Sequence, residues 1–297
     1  MKKNRAMRFV TVKLCILLIT TSVQAGMAIG NGIDTLYIYS SAMDRTIPAA
    51  IVLPSTYQVN HDKYPVVYLL HGATGSFNDW LTRFPEDGFL QKLANKHNII
   101  FVMPDGDPFG FYLNSPWNRE SQFETHIAKE VVSFIDLNYR TKGYAEGRAI
   151  SGLSMGGQGA LYISIRNPSV FGAAGSMSGA VSLNIEEWDL PEETIATISR
   201  EVNKAVGEGN DITSWLIQHS VLKQIEAFTK HQIPMIIDCG TEDFFLEANR
   251  QFHKKLTDQS VKHLYKEYSG QHDWNYWHKA LPFQIHFFSE FFNNSKK

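Results

Sequence analysis

The sequence predicts an α/β fold with a mostly parallel central sheet flanked by helices. Three observations predict it. Short apolar runs alternate with amphipathic stretches through most of the 297 residues. Several runs, such as Tyr64-Pro65-Val66-Val67-Tyr68-Leu69-Leu70, lack a polar alternation and read as strands buried on both faces. Gly-x-Ser-x-Gly stands between one such run and a helical pattern.

In chain order, residues 1–25 are set aside first. Lys2, Lys3, Arg5, Arg8 and Lys13 precede a short apolar run, and Val23-Gln24-Ala25 offers small residues for cleavage. This reads as a secretory signal peptide, too short in its apolar part to span a membrane. The expectation is an exported protein, periplasmic or secreted, with no stable membrane insertion after cleavage. Residues 26–297 then form a single domain.

Asp34–Ser40 and Thr46–Leu53 read as an opening antiparallel pair, followed by the Tyr64–Leu70 strand and a strand over Asn98–Met103. Phe109–Phe123, rich in Tyr, Asn, Ser, Pro and Trp, reads as a long loop. Phe123–Tyr139 has helical periodicity, with Ile127, Val131, Phe134, Ile135 and Leu137 near one face. Ala173–Met177, Ile233–Gly240 and His263–Tyr268 read as strands, and a final helix covers about Tyr276–Phe291. Val181–Ile225 carries helical pieces with no strand between them. It is expected to lie as an insertion over the carboxyl ends of the strands, where open α/β sheets bind ligands.

Composition excludes several functions. Without residues 1–25 the chain keeps 23 of its 28 basic residues and all 30 acidic ones, a charge of −7. There is no basic stripe, so no nucleic-acid partner is expected. Cys239 is then the sole cysteine, which precludes an internal disulfide. No His-Glu-x-x-His, cysteine cluster or phosphate loop occurs, so neither a metal nor another cofactor is expected.

The chemistry centres on Gly152-Leu153-Ser154-Met155-Gly156. Strand, Gly-x-Ser-x-Gly, helix is the nucleophile elbow of α/β-hydrolases. The tight turn excludes side chains at the flanking glycines and lifts Ser154 off the strand end. A serine hydroxyl needs a base, and the base needs a third group to fix its tautomer. In this fold the partners follow in the order acid, then histidine. Asp243 stands past the Ile233–Gly240 strand in Gly240-Thr241-Glu242-Asp243, and is favoured over its neighbour Glu242. His272 stands in Ser269-Gly270-Gln271-His272, directly before the last helix. The oxyanion hole is assigned to the amides of Met155 and Ala73, with Gly72 shaping the loop after the Tyr64 strand. His71 reads as support for that loop. Of six tryptophans, Trp117 and Trp188 lie in segments expected to cover the site and are the candidates for substrate contact, with Gly72 beside them.

These residues resemble the esterase D-like family of α/β-hydrolases. That family includes tributyrin, feruloyl and acetylxylan esterases, S-formylglutathione hydrolases and mycolyltransferases. The resemblance spans roughly Thr46–Phe291. It is carried by Tyr68-Leu69-Leu70-His71-Gly72, Asn78-Asp79-Trp80, Met103-Pro104-Asp105-Gly106, the Ser154 elbow, Gly240-Thr241-Glu242-Asp243 and Gly270-Gln271-His272-Asp273-Trp274. It implies Ser154 as nucleophile, Asp243 as acid, His272 as base, and oxyanion amides at Ala73 and Met155. The expected activity is hydrolysis of short-chain or carbohydrate-linked acyl esters. A small-molecule or glycan-linked ester would be the partner. Alternatives are transfer of the same acyl group to a sugar, or a noncatalytic binding module.

Overall fold

In a computed structural model, residues 32–209 and 211–295 are described; the leader expected over residues 1–25 lies outside them. Eight strands form one sheet in the order β1-β2-β4-β3-β5-β6-β7-β8. They are β1 Ile33–Ser40, β2 Arg45–Val52, β3 Val66–Leu70, β4 Ile100–Pro104, β5 Arg148–Gly152, β6 Ala173–Met177, β7 Met235–Gly240 and β8 Leu264–Tyr268. β1 and β2 pair antiparallel, as do β2 and β4; every pairing from β4 through β8 is parallel. The carboxyl ends of β3, β5, β6, β7 and β8 therefore share one edge.

Alternation along the central strands divides the core in two. Val66, Tyr68 and Leu70 face one apolar cluster, and Val67 and Leu69 the other. The helices are α1 Asp79–Thr82, α2 Phe89–His97, α3 Phe123–Thr125, α4 Val132–Asn138, α5 Met155–Arg166, α6 Glu192–Val206, α7 Ile212–His219, α8 Ile225–His231, α9 Leu246–Asp258 and α10 Trp274–Asn294. α4, α5, α8 and α9 pack on the first face; α2 and α10 pack on the second. A wider π turn over His126–Val131 joins α3 to α4. Residues 123–138 thus form the one helical run that the periodicity predicts, except that Leu137, expected on its apolar face, points to solvent.

α10 matters most for the site, because it begins two residues after His272. Asp273 caps it, its carboxylate accepting from the Tyr276 amide at 2.9 Å. Leu281, Ile285, Phe288 and Phe292 are buried along one face. Each such burial contributes about 1.5–3 kcal/mol, enough to hold the preceding loop in one place. Between β6 and β7 the chain forms α6, α7 and α8 with no intervening strand. Of α6 only Val202 and Val206 are fully buried, while Ile195 and Ile198 in its first half pack at the margin of the core.

Candidate active site

Ser154 sits at the junction of β5 and α5 with φ 54° and ψ −118°, a backbone conformation rarely adopted by a residue with a side chain. Two neighbours make this turn possible by lacking a Cβ. One built on Gly152 would lie 2.4 Å from the Gly156 carbonyl oxygen, and one on Gly156 would lie 2.4 Å from that of Leu70. The turn is held by the Ser154 amide, which donates to the Met177 carbonyl of β6 at 2.9 Å.

Two further loops converge on the Ser154 hydroxyl. His272, four residues past β8, places Nε2 2.9 Å from Ser154 Oγ. Its Nδ1 lies 2.8 Å from Asp243 Oδ2, three residues past β7. An ionised carboxylate only accepts, so Nδ1 carries the proton and Nε2 is left to accept from the serine. The second Asp243 oxygen accepts from the Phe245 amide at 2.8 Å, and the Asp243 side chain is wholly buried. Glu242 is exposed and turns to the Ser269 hydroxyl instead. The choice between these adjacent acids is thus made by which one faces inward. The imidazole is packed between Phe244, at 4.4 Å between ring centroids, and Trp277 at 5.1 Å.

The loop after β3 runs alongside. Among the described residues no protein acceptor takes the amide of Ala73 or of Met155, the first residue of α5. Both residues line the same cavity as Ser154. A Cβ on Gly72 would lie 2.6 Å from Leu153 Cδ1, so only glycine lets this loop pass so close to the elbow. His71 is buried under the loop. Its Nε2 accepts from the Gly106 amide at 2.9 Å, leaving Nδ1–H to donate to the Gly72 carbonyl at 2.8 Å. It braces the loop, as the sequence suggests.

The cavity encloses about 730 Å³. Phe109, Phe111, Phe244, Phe245, Trp274 and Trp277 form much of its wall, and Trp188, Glu193 and Ile198 of the 181–225 segment close one side. Trp188 is anchored there by its indole N–H, which donates to the Ser182 carbonyl at 2.9 Å, and by edge contact with Phe245. Trp117 differs from expectation: it does not line the cavity. The Ser115 hydroxyl accepts from the amides of Trp117 and Asn118, turning the chain outward. The Trp117 ring then packs against Trp215 and over Gly209, where a Cβ would come within 2.2 Å of it. Phe244 and Phe245 went unassigned in the sequence, although they directly follow Asp243. Their position in that motif was the available signal.

These two tryptophans make a paired prediction. Trp188→Ala should raise KM for aromatic acyl esters by about tenfold, the cost of a lost aromatic contact in a wall. Trp117→Ala should leave kcat/KM within about twofold, as for a surface change away from the site. Steady-state kinetics on both variants checks this; equal effects would mean the cavity extends to Trp117.

Comparison with known proteins shows the family. The family described as "Putative esterase" matches residues 40–288. The chain belongs to this esterase family. It is thus an esterase, a carboxylic ester hydrolase. It is 27% identical over 233 residues to an acetyl esterase of Caldicellulosiruptor saccharolyticus, covering 75% of this chain and 82% of that one. It is 29% identical over 238 residues to esterase Rv1288 of Mycobacterium tuberculosis, covering 75% of this chain. The chain spans only about half, 51%, of that mycobacterial protein. Among solved structures, a ferulic acid esterase superposes with a TM-score of 0.72 at 25% identity, covering 87% of this chain and 98% of its own.

Proposed function

We propose that the protein hydrolyses esters through an acyl-enzyme on Ser154, with His272 as base and Asp243 as its orienting acid. One observation carries the reading: an unbroken hydrogen-bonded line, Ser154 to His272 to Asp243, opens into a cavity also lined by Ala73 and Met155, whose amides have no acceptor among the described residues. Ser154 Oγ attacks the ester carbonyl while His272 Nε2 takes its proton. The amides of Ala73 and Met155 receive the oxyanion as the tetrahedral centre forms. His272 then gives the proton to the leaving alcohol. Water, deprotonated by His272, attacks the acyl-enzyme, and collapse of the second tetrahedral centre frees the acid and restores the serine.

The substrates proposed are short-chain or aromatic acyl esters of small molecules or carbohydrates. The aromatic wall supports this, and so does similarity to an acetyl esterase and a ferulic acid esterase. Export is also proposed, from the composition of residues 1–25 alone. Cell fractionation tests it, and a cytoplasmic full-length protein would refute it.

A fluorophosphonate probe tests the catalytic reading. Peptide mapping should find a single adduct, on Ser154. No adduct, or one on another serine, would overturn the assignment. Turnover of p-nitrophenyl acetate, butyrate and octanoate and of methyl ferulate then ranks the acyl groups. Octanoate as the best substrate would refute the short-chain or aromatic preference.

A further inference from the structure

Beneath the site lies a buried polar cluster that the two-step reaction does not use. Asp238 of β7 is 2% exposed. Its Oδ1 accepts from the Tyr276 hydroxyl at 2.9 Å and its Oδ2 from Gln284 Nε2 at 2.7 Å. The same Gln284 nitrogen donates to the Ser176 carbonyl of β6 at 3.0 Å, and Gln284 Oε1 accepts from the Ser151 hydroxyl of β5. Both donors to Asp238 are neutral and both belong to α10. The titratable groups recorded as interacting with it are Tyr276, Tyr268 at the end of β8, and Cys239 beside it on β7; Lys266, its register partner on β8, is exposed and makes no recorded bond to it. Among the described residues none of its recorded partners is a cation.

What the cluster touches is the point. Ser151 precedes Ser154 by three residues, Asp238 precedes Asp243 by five, and Tyr276 follows His272 by four. The Tyr276 ring lies against the loops of both acid and base. A Cβ on Gly270 would meet its Cδ2 at 2.7 Å, and one on Gly240 would meet the Gly270 carbonyl oxygen at 2.2 Å and Tyr276 Cδ2 at 3.4 Å. The Tyr276 ring is therefore wedged between the two turns that present Asp243 and His272, and Asp238 fixes the end of that wedge.

We propose that Asp238 is a positioning residue: through Tyr276 and Gln284 its carboxylate holds in register the three chain segments that carry Ser154, Asp243 and His272. This rests on the catalytic reading above. The ionised form suits the task, because it accepts from both donors at once. A protonated Asp238 has to place its own O–H. Oδ2 faces a donor-only nitrogen, so the proton falls on the Tyr276 side and the phenol loses the acceptor it donates to. Burial pushes this carboxyl up from its ordinary 3.8 to about 7, so the change falls in the working pH range. The fold thus favours the protonated form. Stability is highest below the ordinary value and falls as pH rises toward about 7. The ionised network lowers stability in exchange for a registered site.

The test is Asp238→Asn, which keeps the shape and removes the charge, assayed on p-nitrophenyl acetate from pH 6 to 9. At pH 8 kcat is expected to fall by about tenfold or more, with KM within about twofold, as for a small misplacement of reacting groups. The ratio of wild-type to variant kcat should shrink toward one as pH drops to 6, where wild-type Asp238 is itself protonated. A ratio that does not change with pH, or an unchanged kcat at pH 8, overturns the proposal. Thermal melting at pH 8 should find Asp238→Asn at least as stable as wild type. Tyr276→Phe removes one donor and keeps the ring. It should lower kcat at pH 8 by a smaller factor, and an undiminished kcat would also overturn the proposal. Ser154→Ala separates the two levels: if it retains turnover, the catalytic reading fails. If it is inactive while Asp238→Asn behaves as wild type, only the positioning role fails.

Discussion

Ser154→Ala is expected to lower kcat/KM toward p-nitrophenyl esters by about 10³–10⁶-fold, the range for loss of a triad member. The reason is geometric. The hydroxyl is the one nucleophile presented to His272 Nε2, at 2.9 Å, at the mouth of α5 where the first amide is unclaimed. Alanine fits the strained φ of 54° no worse than serine does, so the fold should survive and the loss be read as chemistry. Residual turnover should remain above the uncatalysed rate, because the amides of Ala73 and Met155 still polarise a bound carbonyl. Pre-steady-state release of p-nitrophenol offers a second readout. A burst equal to enzyme concentration in wild type and none in the variant is expected. A burst in Ser154→Ala would place the acyl group elsewhere.

Asp243→Asn is the second large effect, about 10⁴-fold in kcat, against less than about twofold for Glu242→Gln. Asparagine keeps the shape, but its amide can donate where the carboxylate only accepts. His272 Nδ1 would then become the acceptor and its proton would move to Nε2, facing the serine hydroxyl it should deprotonate. Glu242 meets only exposed hydroxyls, those of Thr241 and Ser269. Comparable losses in the two variants would mean that either acid can orient the base. Parallel melting curves guard against misfolding, since the Asp243 side chain is fully enclosed and also accepts from the Phe245 amide.

The contrast between these variants shows what was readable beforehand. The elbow was legible because its glycines answer to backbone atoms fixed by β3 and β5, which any chain making this turn must accommodate. Both partners of Ser154 were legible because each stands a few residues past a strand, buried β7 for Asp243 and the edge strand β8 for His272, so the sheet edge delivers them. From the sequence, α1, α2, α8 and α9 go unassigned. In α2 and α9 the helical spacing is present, at Leu90, Leu93 and Ala94 and at Asn249, Phe252 and Leu256, but it spans only three buried positions in each. The substrate wall was legible only in part. Trp188 and Trp117 occupy similar segments, and what separates them is a serine hydroxyl that redirects the chain at residue 115. Asp273, beside the catalytic histidine in sequence, caps α10, and Asp-x-x-Tyr before an apolar run carries that signal. The Asp238 cluster was unreadable, since it joins residues 133 positions apart by hydrogen bonds whose partners are set by packing.

The solitary thiol of the described fold has a practical consequence. Cys239 lies on β7 between Asp238 and Gly240, fully enclosed, and burial raises the thiol well above its ordinary range. A reagent such as Ellman's cannot reach it while β7 is paired on both sides. Its slow modification therefore clocks the opening of the strand beneath the acid loop, without any engineered label. In an oxidising compartment the same enclosure shields the molecule from disulfide-linked dimers and from sulfenic acid formation. The described fold thus carries its own gauge of how often the strand below the acid loop comes apart.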